Sequence, residues 1–254
     1  MHLKTDDLTR LEIVFESGMV PPPYSHIYKL KISFGKNFLD TTLDLVYTDR
    51  EEITEQEVID EGFTLDDDFH FQGEIPTVWE KPLKELYAKS KWSNNKLDEE
   101  GGINILTKDR HGKISRTTPL NQQEWQHFAQ DYIQAIYEID KKEAPLTLNY
   151  IVRDENKSLE INLTVKFSIR KVEVYLNGQP KEADWEETRT LLSYIFLPDY
   201  DYSKAKQKPP QQKGQFIDCG DGYWHEIGKG VINIDDSFDA VGKIKKGFAN
   251  LIST

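Results

Sequence analysis

The segment Leu159 to Phe167 permits few folds. Leu159, Ile161, Leu163, Val165 and Phe167 occupy every second position, with Glu160, Asn162, Thr164 and Lys166 between them. Successive side chains of a strand point to opposite faces, so this segment predicts a half-buried strand with one wet face. Leu146, Leu148, Tyr150 and Val152 alternate in the same way before it. Asp154, Glu155 and Asn156 have the turn chemistry to join the two. Val172, Val174 and Leu176 predict a third strand, closed by Asn177-Gly178, a pair suited to positive φ. Asp184 followed by Glu187 predicts a capping box, and Leu191, Leu192, Ile195 and Phe196 form the apolar stripe of the helix it starts.

The same order occurs earlier in the chain. Leu11, Ile13 and Phe15 begin a strand. Tyr28 to Phe34 and Leu39 to Tyr47 give two more, and a helix is expected from about Pro82 to Lys91. Ile103 to Asp109 and Lys113 to Thr117 read as a hairpin. Asn121 and Glu124 are expected to cap a helix whose stripe is Trp125, Phe128, Tyr132, Ile136 and Ile139. After Leu197 come a Lys- and Pro-containing loop, a hairpin from Phe216 to Ile234 and a last helix from about Ser237. Gly242 and Gly247 in that helix suit close packing.

Strands with one apolar face need a helix layer over that face. The expected fold class is therefore α+β, in two related units. Each unit is an antiparallel three-stranded meander, helix, hairpin and C-terminal helix, with helices on one face of the sheet. The first spans 1–144 and the second 145–254, either as separate domains or as one continuous pseudo-symmetric sheet. Phe63 to Ile75 reads as an irregular connection.

Charge divides the chain unevenly. The formal net charge is −12, and Asp49 to Glu74 holds eleven acids against Arg50 as its one Lys or Arg. That balance argues against general nucleic-acid binding. No apolar run reaches the roughly 20 residues of a membrane helix. The first ten residues lack the apolar stretch of a secretory signal, so a cytoplasmic protein without membrane contact is expected. Two tripeptides of glycosylation pattern, at Asn156 and Asn162, then carry no meaning.

Candidate chemistry is sparse. The single cysteine, Cys219, precludes an internal disulfide and any multi-cysteine zinc site. It stands near His225 in a Gly-rich turn. A thiol beside an imidazole becomes a thiolate nucleophile, and Gly220 and Gly222 could leave N–H groups free for an oxyanion. Asp66, Asp67, Asp68 and His70 offer oxygen and imidazole ligands, yet lack the alternating acids and central glycine of a calcium loop. For metal, Asp66, Asp68 and His70 are the candidates. Pro21-Pro22-Pro23-Tyr24 matches the PPxY pattern of WW-domain ligands, so Pro22, Pro23 and Tyr24 join Asp66, Asp67 and Asp68 as candidate binding residues. No cofactor is expected. The leading expectation is a binding or protein-interaction protein without catalytic activity, monomeric or homodimeric, whose protein partner is unspecified. Its alternatives are a hydrolase or transferase using Cys219 and His225, and a structural homo-oligomer subunit.

Overall fold

A computed structural model describes residues 3–95, 97, 99–155 and 158–253. Asn156, expected in a turn and in one glycosylation tripeptide, lies outside the described residues. The chain is α+β, with antiparallel sheets and helices, and divides into two compact units between Glu143 and Ala144.

In the first unit, β1 (Leu8–Glu16), β2 (His26–Phe34), β3 (Phe38–Tyr47) and β4 (Phe69–Pro76) form a meander. The short helix α1 (Glu55–Asp60) lies in the β3–β4 connection. Then come α2 (Glu80–Lys89), β5 (Trp92–Ser93), β6 (Gly102–Asp109), β7 (Ile114–Pro119) and α3 (Gln122–Ile139). The sheet order is β4-β3-β2-β1-β6-β7-β5. Register places Leu11 opposite Ile32, Ile13 opposite Leu30 and Ile105, and Leu43 opposite Phe71, so one face is continuously apolar. Helix α3 covers it with Trp125, Phe128, Tyr132 and Ile136, all buried. The Tyr132 hydroxyl meets Thr41 Oγ1 at 2.8 Å, which satisfies both groups inside the core. On the opposite face Glu12 is buried, its carboxylate bridged by Arg10 at 3.1 Å and Lys29 at 3.6 Å.

The second unit builds its meander from β8 (Leu146–Arg153), β9 (Ser158–Lys166), β10 (Lys171–Leu176) and β11 (Gln179–Lys181). Next come α4 (Trp185–Ile195), β12 (Asp199–Tyr200), β13 (Gly214–Asp218), β14 (Trp224–Glu226), β15 (Val231–Ile232) and α5 (Ala240–Ser253). The main sheet runs β11-β10-β9-β8-β13-β14, and β12 pairs with β15 in a separate ribbon. The Tyr150 ring stacks on Phe248 of α5 at 4.1 Å. Helices α4 and α5 touch closely, because a Cβ on Gly247 would lie 2.7 Å from Leu191 Cδ1. On the other face Ile151, Phe216 and Trp224 form a small buried cluster. The Lys-containing loop closes over it: Lys206 exchanges backbone hydrogen bonds with Trp224, and Arg153 Nε donates to the Pro210 carbonyl.

Several expectations need correction. Each meander has four strands, not three. The segment read as irregular contains β4, where Phe69, Phe71 and Ile75 alternate with His70, Gln72 and Glu74. Gly73 interrupts that apolar series because the Phe71 ring lies over it, 2.6 Å from where a Cβ would stand. Asn177 and Gly178, with φ of 50° and 78°, close the third strand as expected, and the turn they make leads into the unexpected fourth strand, β11. Asn121 makes no side-chain cap to α3. Gln122 instead anchors that helix to the sheet, accepting from Ile103 N–H and donating to Ile103 and Pro119 carbonyls. Asp184 does cap α4, accepting from the N–H groups of Glu186 and Glu187, but the Glu187 side chain does not return the second bond of a capping box. The last helix begins at Ala240, not Ser237, with Asp239 and Asn233 accepting from the N–H groups of Gly242 and Val241. The hairpin expected over 216–234 is shorter, since Val231 and Ile232 leave it for the β12–β15 ribbon. Among the described residues no helix is long and apolar enough to cross a membrane.

Candidate functional site

The Cys219 turn is organised by Asp218, not by free backbone donors. The buried Asp218 carboxylate accepts from Gly220 N–H at 2.9 Å and Gly222 N–H at 3.0 Å, and Asn149 Nδ2 donates to its other oxygen at 3.2 Å. Asp221 takes the N–H of Tyr223. The glycine donors expected to be available to an oxyanion are therefore already bonded. Asp221 also accepts from the Tyr202 hydroxyl at 2.7 Å, which holds that phenol up at about 12.

Cys219 and His225 are not hydrogen-bonded to each other. The thiol donates to Tyr200 Oη at 3.4 Å, and Tyr200 Oη donates to the Ile195 carbonyl at 2.7 Å. Burial pushes the thiol up to about 11, with the carboxylates of Asp221 and Asp218 adding to the shift against the hydrogen bond to Tyr200. This is a protonated donor in a chain of hydrogen bonds, the opposite of an activated thiolate. Burial, and then the neighbouring Cys219, also raise Tyr200. His225, opposite Ile217 across the hairpin, is 1% exposed. The rings of Tyr200 and Tyr202 stand edge-on to it at 5.2 and 4.8 Å, and neither ring nitrogen has a hydrogen-bond partner. An unsatisfied buried polar group costs about 1–3 kcal/mol, so His225 is the most costly side chain of this cluster.

In the first unit the acidic connection folds into a lobe around its one strong base. The Arg50 guanidinium lies 4.1 Å over the Tyr47 ring and 5.0 Å over the Phe63 ring. It also bridges Asp67 at 2.9 Å and donates to the Thr64 carbonyl. Partial burial pushes Asp67 up, but hydrogen bonds from Thr64 and Arg50 outweigh it, and the carboxyl is held below its ordinary range. Thr54 and Glu57 form a capping box at α1.

The Pro segment packs onto this lobe. The N–H groups of Tyr24 and Ser25 both donate to the Pro21 carbonyl, so the chain turns here; a polyproline helix has no such internal bonds. The Pro22–Pro23 peptide bond is cis. Pro23 is buried, while Tyr24 is 46% exposed, donates to Glu61 at 2.6 Å and stands edge-on to Phe63 at 5.2 Å. The structure thus brings Tyr24 and the Asp67 loop into one lobe through Phe63.

It does not gather Asp66, Asp68 and His70. Asp68 accepts from the Tyr47 N–H, and His70 Nδ1 lies 2.6 Å from Asp44 across the β3–β4 pair. Among the described residues, no group of three or more His, Cys, Asp or Glu side chains converges as a metal site.

Replacing Arg50 with glutamine is expected to loosen residues 49–68 while leaving the meander intact. Amide exchange in that segment should accelerate at least about tenfold, given the guanidinium's two aromatic contacts and its ion pair. Acid should act in the same direction. Asp67 is depressed, so its contribution is complete above the ordinary carboxylate range and disappears as pH falls through its lowered value. Unchanged exchange in the Arg50→Gln protein would show that the lobe is held by something else.

The contacts missing from the sequence reading are Tyr200 and Tyr202 beside His225, and Tyr47 and Phe63 beneath Arg50. A usable signal existed for the second set, because Arg50 is a solitary base within an acidic run. Compared with known proteins, the chain matches no family model, no curated protein and no solved structure.

Proposed function

We propose that the chain is a non-catalytic, cytoplasmic protein-binding protein built from two related units, and that the acidic lobe of the first unit is its principal binding surface. One observation carries this reading. The carboxylates of Asp49, Glu51, Glu52, Glu55 and Asp66 have no hydrogen-bond or ion-pair partner among the described residues, and the same lobe and the adjoining Pro loop expose Met19, Val20, Ile59 and Leu65. Clustered charge speeds encounter with an oppositely charged partner, and exposed apolar side chains prolong the complex once formed. The partner this favours is a protein segment with Lys or Arg beside apolar residues.

The test is affinity purification with two baits, the wild type and a protein carrying Glu51→Gln, Glu52→Gln, Glu55→Gln and Asp66→Asn. All four positions are exposed, so the fold should persist. Proteins identified by mass spectrometry should be lost from the variant and released from the wild type by salt. Identical recoveries from both baits would refute the reading.

A second reading, an enzyme using Cys219 and His225, is favoured by one observation: both nitrogens of the buried His225 ring lack partners. A small polar ligand reaching that ring would satisfy them.

A further inference from the structure

We propose that the second unit carries a separate docking site, an acid-rimmed apolar cavity that takes a bulky apolar side chain flanked by Lys or Arg on a protein segment. This rests on the reading of the chain as a binding protein, but it uses a different surface.

The cavity lies between the end of α4 and the β12–β15 ribbon and measures about 440 Å³. Phe196, Leu197, Ile232 and Ile234 form its apolar lining. Local structure explains why these side chains face outward. Helix α4 stops at Ile195, and Phe196 leaves the helical path with the following Pro198 buried. On β15 Val231 points inward and is fully buried, so strand alternation turns Ile232 outward. Ile234 is 75% exposed and Phe196 59% exposed.

The segment bearing Ile234 is firmly held. Asn233 accepts from the Val241 N–H at 2.9 Å and donates to Asp239 at 3.0 Å, while Asp235 accepts from the Ser237 N–H at 2.7 Å. An apolar side chain fixed in solvent by an ordered loop has no rotational freedom of the backbone to lose on binding, which favours association. Contiguous exposed apolar side chains rimmed by polar residues mark interaction sites.

The rim identifies the occupant. Asp199 lines the cavity, and Asp235 and Asp236 follow Ile234 directly. The carboxylate of Asp199, which lines the cavity, has no hydrogen bond or ion pair among the described residues, and neither has that of Asp236, two residues beyond Ile234, so an incoming cation meets Asp199 unpaired. A second copy packed symmetrically, rim against rim, would set the same carboxylates, Asp199 among them, against each other. Four apolar side chains also fall well short of the roughly 20–30 residues a side of a standard dimer interface. Nucleic acid is repelled by the same carboxylates. The volume suits one or two bulky side chains, in the range of small-ligand sites.

The probe is a fluorescent peptide with two adjacent leucines flanked on each side by two lysines, followed by anisotropy with the full chain. Ile234→Ser and Phe196→Ser are exposed substitutions that should leave the fold intact, and each should weaken binding about tenfold. The double change Asp199→Asn with Asp236→Asn should weaken it at low salt and match the wild type at high salt. The proposal is overturned if the wild type does not bind the probe, or if Ile234→Ser binds as tightly as the wild type. It is likewise overturned if sedimentation shows a dimer that Ile234→Ser dissociates, because the occupant is then a second copy. Binding abolished only by the four lobe substitutions would refute this site and leave the lobe reading standing. Binding lost with Ile234→Ser but retained by the lobe variant would support this site even if the lobe reading fails.

Discussion

Replacing Trp125 with alanine is expected to destabilise the first unit by about 3–5 kcal/mol, the cost of emptying a fully packed indole site. Trp125 is completely buried on α3. Its ring meets Trp92 at 5.9 Å, and its Nε1–H donates to Ser90 Oγ at 2.9 Å. Ser90 in turn donates to the Leu86 carbonyl at the end of α2. Removing the indole therefore leaves a cavity and strips a hydrogen bond from a buried hydroxyl. A whole domain commonly has only about 5–15 kcal/mol of stability, so the loss approaches that margin. Urea unfolding followed by circular dichroism should show a much earlier transition. Hydrogen exchange should rise through α3 and the strands it covers, β4 and β6. Trp125→Phe separates the two causes: it keeps most of the packing and loses the N–H, so its cost should be distinctly smaller. A loss below about 1 kcal/mol for Trp125→Ala would mean that α3 does not form the core layer over this sheet.

That helix was legible because one stripe of apolar residues at spacings of three and four is hard to satisfy any other way. The long strands were legible for the same kind of reason. β2, β3 and β9 alternate over nine or ten residues, and each pairs antiparallel with its neighbour. β4 escaped because Gly73 sits where an apolar residue would complete the pattern, and because the acids of Asp66 to Asp68 run directly into it. β11 has three residues, Gln179, Pro180 and Lys181, with no alternating apolar series, so periodicity had nothing to register. β12 and β15 have two residues each. Elements this short are fixed by tertiary pairing, which a single sequence does not display.

The candidate sites divide along the same line. Cys219 and His225 were found because they are neighbours in sequence, yet their decisive contacts are with Tyr200 and Tyr202, about twenty residues earlier and carried in by the ribbon and the turn after it. Sequence proximity suggested a nucleophile and its base; spatial structure inserted a phenol that accepts the thiol's hydrogen bond instead. Asp66, Asp68 and His70 were grouped by proximity too, but only His70 lies in β4, where it faces Asp44, while Asp68 stands before the strand and accepts from the Tyr47 N–H. The acidic segment fared differently. Its composition indicated an exposed surface, and the one odd residue in it, Arg50, is the residue around which the lobe closes.

The chemistry of Cys219 can be tested through its alkylation rate. With the thiol held up at about 11, almost all of it is protonated near pH 8. Only the thiolate attacks, and its fraction there is on the order of 10²-fold lower than for free cysteine. The higher intrinsic nucleophilicity of a more basic thiolate recovers roughly tenfold of that, so a net slowing of about 20-fold is expected. The partial burial of Cys219 adds to it. The pH profile is the stronger test. Raising the pH from 8 to 10 should increase the rate about tenfold per unit, where free cysteine levels off near its ordinary value of about 8.5. His225→Gln should leave the profile in place, because no hydrogen bond joins the imidazole to the sulfur. A rate that levels off below pH 8 and collapses in the His225→Gln protein would reverse these assignments. It would mean that the thiol and the imidazole pair in solution, and the enzyme reading would then displace the binding one for this turn.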